Sequence, residues 1–403
     1  MKSKRKYIIA SLVILLFSLA TCYYAYEREN PFDPKSDNYQ EFHGIKIIDS
    51  EGNFGFRSTV VASGDNIFVG YQEGDGKFRI AVSNDTGYNF TATYIDQVTE
   101  TYLGIYNSID ISGNTVYASY SLYTIFPTSD SDIQFAKSTD GGKTWPASSL
   151  KAIVDSGNGT AGENSIRVDG EKIYIAYYDS SSSGILKLAK STNGGTDWTI
   201  TDIDNAVNNV GKHNAIAVDD EYIYVCYHDE TNIELIFNRS SDYGVSWDGP
   251  WYDIDSSGNN HGYYTSIAAD GTNVYISYYD MTLQDLKFIR SINRGSVWSA
   301  VQIIDGNSTD NGKTNGDVGL YTSIAAHNGC IYISYRDNEN ESLKLARSAD
   351  NGDTWTITTV DTDDVGNYGT SITVAGSKVY ISYYDSTNGV LKLAKSIDGG
   401  ATW

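Results

Sequence analysis

The chain has 403 residues, with 51 acidic against 29 basic side chains and a net charge of −22, and it carries only five prolines beside 38 glycines and 33 tyrosines. So acidic a chain excludes binding along nucleic-acid backbones, because phosphate neutralisation needs clustered Lys and Arg and these cluster only in the first six residues. Short runs of Tyr, Ile and Val broken by Gly, Asn, Asp and Ser make the chain all-β.

In chain order, Lys2, Lys4, Arg5 and Lys6 precede an uncharged run from Tyr7 to Tyr26, the pattern of a secretory signal or an N-terminal membrane anchor. Leu19-Ala20-Thr21-Cys22 resembles a bacterial lipobox, which implies lipidation of Cys22, although Thr21 departs from the small residue usual before the cysteine. Residues 1–22 read as this leader and 23–42 as a polar, proline-bearing tether. The expected location is extracytoplasmic, secreted or anchored to the membrane or cell surface, with membrane contact only through this segment.

From residue 43 to 403 one motif recurs, Ser-x-Asp/Asn-x-Gly-x-x-Trp/Phe, beginning at Ser83, Ser138, Ser191, Ser240, Ser291, Ser348 and Ser396. Its third position is Asp85, Asp140, Asn193, Asp242, Asn293, Asp350 or Asp398, a side chain suited to an Asx-turn beside a glycine that supplies positive φ. Trp145, Trp198, Trp247, Trp298, Trp355 and Trp403 close six copies and Phe90 the first, as packing residues between sheets. A period near 50 residues with several short strands marks a solenoid or propeller. The motif resembles the Asp-box, or BNR, repeat of the sialidase-like propellers. That resemblance implies a propeller whose boxes lie on the face opposite any catalytic site.

Each repeat reads as four antiparallel strands, A to D. In the third repeat, Ser165-Ile166-Arg167-Val168 is strand A, Ile173 to Tyr178 B, Leu186 to Lys190 C and Thr199 to Ile203 D. Strand B starts eight residues after Thr59, Ser108, Ser165, Ala215, Ser266, Ser323 and Ser371 alike. D strands end in a hydrophobic-Asp pattern, and Gly44-Ile45-Lys46-Ile47-Ile48-Asp49 carries it with no box before it. The expectation is therefore a seven-bladed β-propeller of four-stranded antiparallel blades, its ring closed by that N-terminal strand.

Residues shared by every repeat serve the fold, so a site must lie where the repeats differ. Two residues before the A-strand Ser, near the channel mouth, stand Arg57, Tyr106, Glu163, His213, Tyr264, Tyr321 and Gly369. At the end of strand B stand Gln72, Ser121, Tyr178, His228, Tyr279, Arg336 and Tyr384, followed in six repeats by Glu73, Asp179, Asp229, Asp280, Asp337 or Asp385 with a structural duty. Arg57, Tyr106, Glu163, His213, Tyr264, Tyr321, Tyr178, His228, Tyr279, Arg336 and Tyr384 are the candidate ligand residues, a set that suits sugars: aromatic faces to stack on and polar groups for hydroxyls.

The sialidase resemblance adds further expectations. Those enzymes hold a carboxylate with three arginines and use a Glu-activated Tyr and an acidic Asp. Phe56-Arg57-Ser58-Thr59 resembles the element carrying the first arginine, without its Ile-Pro, and Arg336 is the one well-placed further arginine. Glu163 with Tyr106, Tyr264 or Tyr321 would form the Tyr/Glu pair, and Asp179 or Asp229 the acid; the catalytic candidates are Glu163, Tyr264 and Tyr321.

Cys226 and Cys330 sit in non-adjacent repeats and read as free thiols. No spacing calls for zinc or a cofactor, and the acidic stretches Asp310 to Asp317 and Asp361 to Asp364 read as solvated loops rather than calcium sites. Residues 122–132 and 306–319 read as long loops. The expected function is a monomeric, exported, surface-tethered propeller binding a glycan or polysaccharide at the channel mouth. The alternatives are a divergent sialidase-like glycoside hydrolase and a scaffold for a cell-surface protein.

Overall fold

The computed structural model describes residues 42–403 apart from 51–53, 75, 98–100, 125–129, 148–150, 157–160, 181–183, 205–208, 251–253 and 307–315. The leader, Cys22 and the tether as far as residue 41 lie outside the described residues, as do most of the stretch from Asp310 to Asp317 and parts of both long loops.

Seven antiparallel sheets form the blades of a propeller, six of them with four strands and one with three among the described residues. Strand A is innermost, and the seven A strands line a central cavity of about 430 Å³. The constant spacing from A to B appears as a constant register: Thr59 faces Gly70, Ser165 faces Ala176 and Ser371 faces Ser382. Serines of strand A then tie neighbouring blades. Ser108 Oγ accepts the Ile166 amide at 3.2 Å, Ser323 the Ile372 amide at 3.2 Å, and Ser371 the Val60 amide at 3.0 Å across the seam.

The last blade consists of Val365–Ala375, Lys378–Asp385 and Val390–Ser396, with Gly44–Asp49 as its fourth strand. Gly44 pairs with Lys395 and Ile47 with Lys392, so the N-terminal strand closes the ring as its sequence pattern implied. In the fourth blade the described strands are Val210–Asp219, Tyr222–Asp229 and Glu234–Ser240. There Ile254 and Asp255 take the place of strand D. The Ile254 amide donates to Leu235 O at 3.2 Å, and Asp255 Oδ2 accepts the Tyr278 hydroxyl at 2.7 Å.

That last contact explains the hydrophobic-Asp ending of the D strands. Each such Asp reaches into the next blade and accepts the hydroxyl of a buried strand-B tyrosine, as in Tyr177–Asp155 at 2.6 Å, Tyr335–Asp305 at 2.8 Å and Tyr383–Asp361 at 2.8 Å. A strand-C lysine completes the network. Lys344 bridges Asp305 at 2.7 Å and Asp337 at 3.3 Å, while Lys287 bridges Asp255 and Asp280 at 2.9 and 2.6 Å. Buried carboxylates thus meet both a cation and a hydroxyl, which is what their desolvation requires. Asp49 repeats the arrangement at the seam with Tyr71 and Arg79.

The Asp boxes fold as turn chemistry dictates. Ser138 Oγ donates to Asp140 at 2.7 Å and accepts the Gly142 amide, and Asp140 accepts the Thr144 amide and hydroxyl at 3.0 and 2.7 Å. Hydrogen bonds from Ser and Thr hold Asp242 and Asp350 down to about 2. The box glycine faces the preceding blade: a Cβ on Gly295, at φ 79°, would lie 2.5 Å from the Phe237 ring. Beside it Trp298 meets Phe237 edge-on at 4.8 Å, as Trp355 meets Phe288 at 4.9 Å. These aromatics bridge the hydrophobic clusters between blades, as their sequence pattern implied. Cys226 is buried and unpaired, its thiol pushed up to about 12 by burial, and Cys330 is also free.

Candidate functional site at the channel mouth

Each A strand breaks register with strand B near its start, in five blades by a bulge that leaves two residues opposite one. In the sixth blade Leu320 pairs with Arg336 and Ser323 with Ser334, so Tyr321 and Thr322 together face Tyr335. A bulge bends the strand and re-aims a side chain. Arg57, His213, Tyr264, Tyr321 and Tyr368 all sit here with φ between 50° and 63°, in the left-handed region that side-chain-bearing residues rarely occupy. Such strain persists only where surrounding structure over-determines it, and it clusters at functional sites.

The bulge also frees a backbone carbonyl, which the next blade takes up. Asn107 Nδ2 donates to Arg57 O at 2.9 Å, Asn164 Nδ2 to Tyr106 O at 2.8 Å, Asn214 Nδ2 to Glu163 O at 3.0 Å and Thr370 Oγ1 to Tyr321 O at 2.9 Å. Every bulge so latched holds its side chain toward the axis. The result is a bowl of about 400 Å³ with Arg57, Tyr106, Glu163, His213, Tyr264, Tyr321, Tyr368 and Gly369 on its wall.

Within the bowl the side chains pair off. The Arg57 guanidinium lies over the Tyr106 ring at 4.1 Å, a cation–π stack that holds its plane. Glu163 accepts the His213 amide and lies 3.5 Å from His213 Nδ1. Tyr264 and Tyr321 rings stand 4.5 Å apart, tilted by 48°. Burial, then Tyr321 and Glu163, push the Tyr264 phenol above its ordinary range. Glu163 is the one carboxylate among the bowl's described lining residues.

The strand-B set lies lower and faces the next blade. Tyr178 donates to Asn209 Oδ1 at 2.8 Å and Tyr279 to Asp317 Oδ1 at 2.7 Å; Ser121 reaches Gly162 O at 2.7 Å, and His228 Nδ1 lies 2.9 Å from His261 O. Tyr384 is buried against Phe56 at 4.6 Å between ring centroids. Arg336 is only 4% exposed and gives its guanidinium to Val365 O, Asp364 and Asn338 at 2.7, 2.8 and 3.2 Å. These residues bracket the first residues of each following strand A and form the wall's foundation.

No protein-family profile and no curated protein matches the sequence. Solved structures match in fold. The polysaccharide lyase Uly1 is 9% identical with a TM-score of 0.56, over 92% of this chain and 95% of that one. The α-L-arabinofuranosidase Arb93a of Fusarium graminearum is 14% identical with a TM-score of 0.52, over 88% and 97%. The Hadza microbial sialidase Hz136 is 13% identical with a TM-score of 0.52 over 70% of this chain, which spans 63% of the sialidase's length. What they share with this chain is the β-propeller fold.

Against that fold, the sialidase constellation expected from the sequence does not assemble. Arg336 is committed to the protein and does not join Arg57 as a carboxylate clamp. Asp179 is buried with Lys187, and Asp229 is fully buried, accepting the Thr231 and Asn232 amides at 2.7 and 3.0 Å. Neither is an acid facing the bowl. Glu163 is engaged by His213, while Tyr264 turns to Tyr321.

Counting back from the A-strand Ser missed one ring member. In the seventh blade Asn367 pairs with Tyr384 and Thr370 with Tyr383, leaving both Tyr368 and Gly369 unopposed, so Tyr368 holds the left-handed ring position and Gly369 is an insertion. The signal was there: Gly319 precedes Ser323 by four residues, whereas Gly366 precedes Ser371 by five. The recurring Asn or Thr just before the Ser was also legible, and it is the residue that latches the bulge. Tyr263, 5.0 Å from His213 and 4.4 Å from His228 between ring centroids, carried no repeat signal.

Proposed function

We propose that this protein binds a saccharide, a glycan or polysaccharide, in the bowl at the channel mouth. The observation that carries this reading is the ring itself: tyrosine, arginine, histidine and glutamate side chains on strained, cross-latched bulges around one concave space. Tyrosine faces offer stacking surfaces to sugar rings, while the Arg57, Glu163 and His213 groups offer hydrogen bonds to hydroxyls. The matching structures named above are a polysaccharide lyase, an α-L-arabinofuranosidase and a sialidase.

Binding is favoured over hydrolysis because a glycosidase of the usual kind uses two carboxylates about 5 to 9.5 Å apart flanking the bond, and among the described lining residues of the bowl Glu163 is the one carboxylate. A second reading, acid–base chemistry on the bound saccharide, is favoured by one feature: Glu163 beside His213 Nδ1 orients an imidazole next to Tyr264, 5.0 Å away between ring centroids.

We also infer an extracytoplasmic protein tethered through its N-terminal segment. Phe42 packs 6.0 Å from Tyr88 and Gly44 lies beside Trp403, both box residues, so the chain enters the ring on the Asp-box side. A tether there would turn the bowl away from the anchoring surface. The test is a glycan array probed with the full chain and with Tyr264→Ala and Tyr321→Ala. Binding that both substitutions abolish supports the reading; binding indifferent to both removes the site, and no binding at all favours a protein partner.

A further inference from the structure

We propose that Tyr368 forms a second saccharide subsite at the lip of the bowl, so that the ligand is a chain of linked sugars rather than a single terminal one. The inference rests on the saccharide reading above and specifies its ligand.

Three observations set Tyr368 apart from the other ring tyrosines. Its side chain is 50% exposed, whereas Tyr106, Tyr264 and Tyr321 are half-buried, and it is the one aromatic among the strongly exposed large apolar side chains of the described residues. Its backbone is left-handed at φ 63°, and the insertion behind it needs glycine: Gly369 sits at φ 131°, where a Cβ would lie 3.4 Å from the Arg57 backbone. Finally, its ring is propped from below. Phe56 meets it edge-on at 5.1 Å and Tyr384 at 6.0 Å, while those two rings lie 4.6 Å apart across the seam between the last and first blades.

Exposure of an aromatic ring and a left-handed backbone both oppose stability, and a residue whose task was packing would be turned inward like Tyr384 beneath it. The prop instead fixes the ring's attitude while leaving one side open to solvent. A preset aromatic side chain with one open face is suited to stacking on a flat apolar surface such as a sugar ring. Tyr321 is the ring residue of the preceding blade, and both line the same concavity. A saccharide seated against Tyr264 and Tyr321 would therefore extend, through its next unit, outward over Tyr368.

The experiment is affinity electrophoresis of the full-length chain in mild detergent, through gels containing arabinan, xylan, pectin or alginate. Competition by the monosaccharides released from the retarding polymer is measured alongside. Tyr368→Ala should weaken retardation by the polymer about three- to tenfold, the range of one aromatic stacking contact, and leave monosaccharide competition unchanged. Tyr368→Phe should behave as wild type, since stacking needs the ring and not the hydroxyl. Tyr321→Ala should lose both polymer and monosaccharide. Equal weakening of both by Tyr368→Ala, no effect of it, or loss in Tyr368→Phe would overturn the second subsite while leaving the bowl intact. Wild type unretarded in all four gels would overturn the saccharide reading and this inference together.

Discussion

The two faces of this propeller are built from the same seven repeats and differ in what the repeats do there. On the Asp-box face one connection between neighbouring blades recurs: Lys137 Nζ donates to Gly194 O at 2.6 Å, Lys190 to Tyr243 O at 2.6 Å and Lys395 to Thr86 O at 2.7 Å, the last across the seam. On the mouth face the frame repeats and the chemistry does not. Bulge, latch and carbonyl recur, yet the side chain delivered is Arg, Tyr, Glu or His. Left-handed residues occur on both faces: on the first they recur at one box position, as Thr86, Tyr243, Arg294 and Asn351, and on the second they deliver the varied side chains. A closed ring can carry costly left-handed residues at its mouth because its stability resides elsewhere.

This contrast can be broken most severely at the seam. Deleting Gly44–Asp49 removes the fourth strand of the last blade together with Asp49, the partner of Tyr71 and Arg79. A denaturant titration should then lose its single cooperative transition; retention of that transition would mean that the ring does not depend on this strand. Next in size, Trp355→Ala should cost about 3 to 5 kcal/mol by opening the space against Phe288. Its ligand affinity, measured below the melting range, should stay at the wild-type value.

A smaller effect is set by pH. His228 is fully buried beneath the ring, and burial first, then the charge of His213, lower its pKa to about 4. The unfolded chain, with an ordinary histidine pKa near 6.5, binds the proton more readily in that interval. Stability should therefore be full above about pH 6.5 and fall as pH drops toward 4, by up to about 3 kcal/mol from this group. His228→Gln should flatten that part of the stability profile; an unchanged slope would show that other groups set it. The smallest effect belongs to the ring. Tyr321→Gly exchanges lost aromatic contact for relief of a left-handed strain of about 1 to 2 kcal/mol, so its net change in stability should stay within about 1 kcal/mol while binding is lost.

Much of this was legible in the sequence because repetition reports structure. Box spacing gave the blades, the A-to-B interval gave the register, and the hydrophobic-Asp ending of residues 44–49 marked the closing strand. In the fourth blade the same ending, Ile254-Asp255, stands at the strand-D position. The site was half legible. Counting located the ring positions of Arg57, Tyr106, Glu163, His213, Tyr264 and Tyr321, but an insertion of one glycine displaced Tyr368 by a residue. The strand-B set misled for a different reason: Arg336, Tyr279 and His228 vary among blades, yet their variation is absorbed by equally varied partners in the next blade, Asp364, Asp317 and the His261 carbonyl. Variation marks a ligand surface only where the side chain ends in open space, and sequence alone does not report where a side chain ends.

The measurement that bears most directly on the division of labour between faces is a paired one on Asp350→Ala and Tyr321→Ala: thermal melting, and retardation in the polysaccharide gel that holds back wild type. Asp350→Ala should lower the melting temperature, because its carboxylate accepts the Thr354 amide and hydroxyl, and leave retardation intact. Tyr321→Ala should stay folded, melting below wild type only by what its ring contact with Tyr264 contributes, and lose retardation. If the box substitution abolishes binding at temperatures where the protein is folded, or the ring substitution unfolds it, stability and recognition are not divided between the two faces.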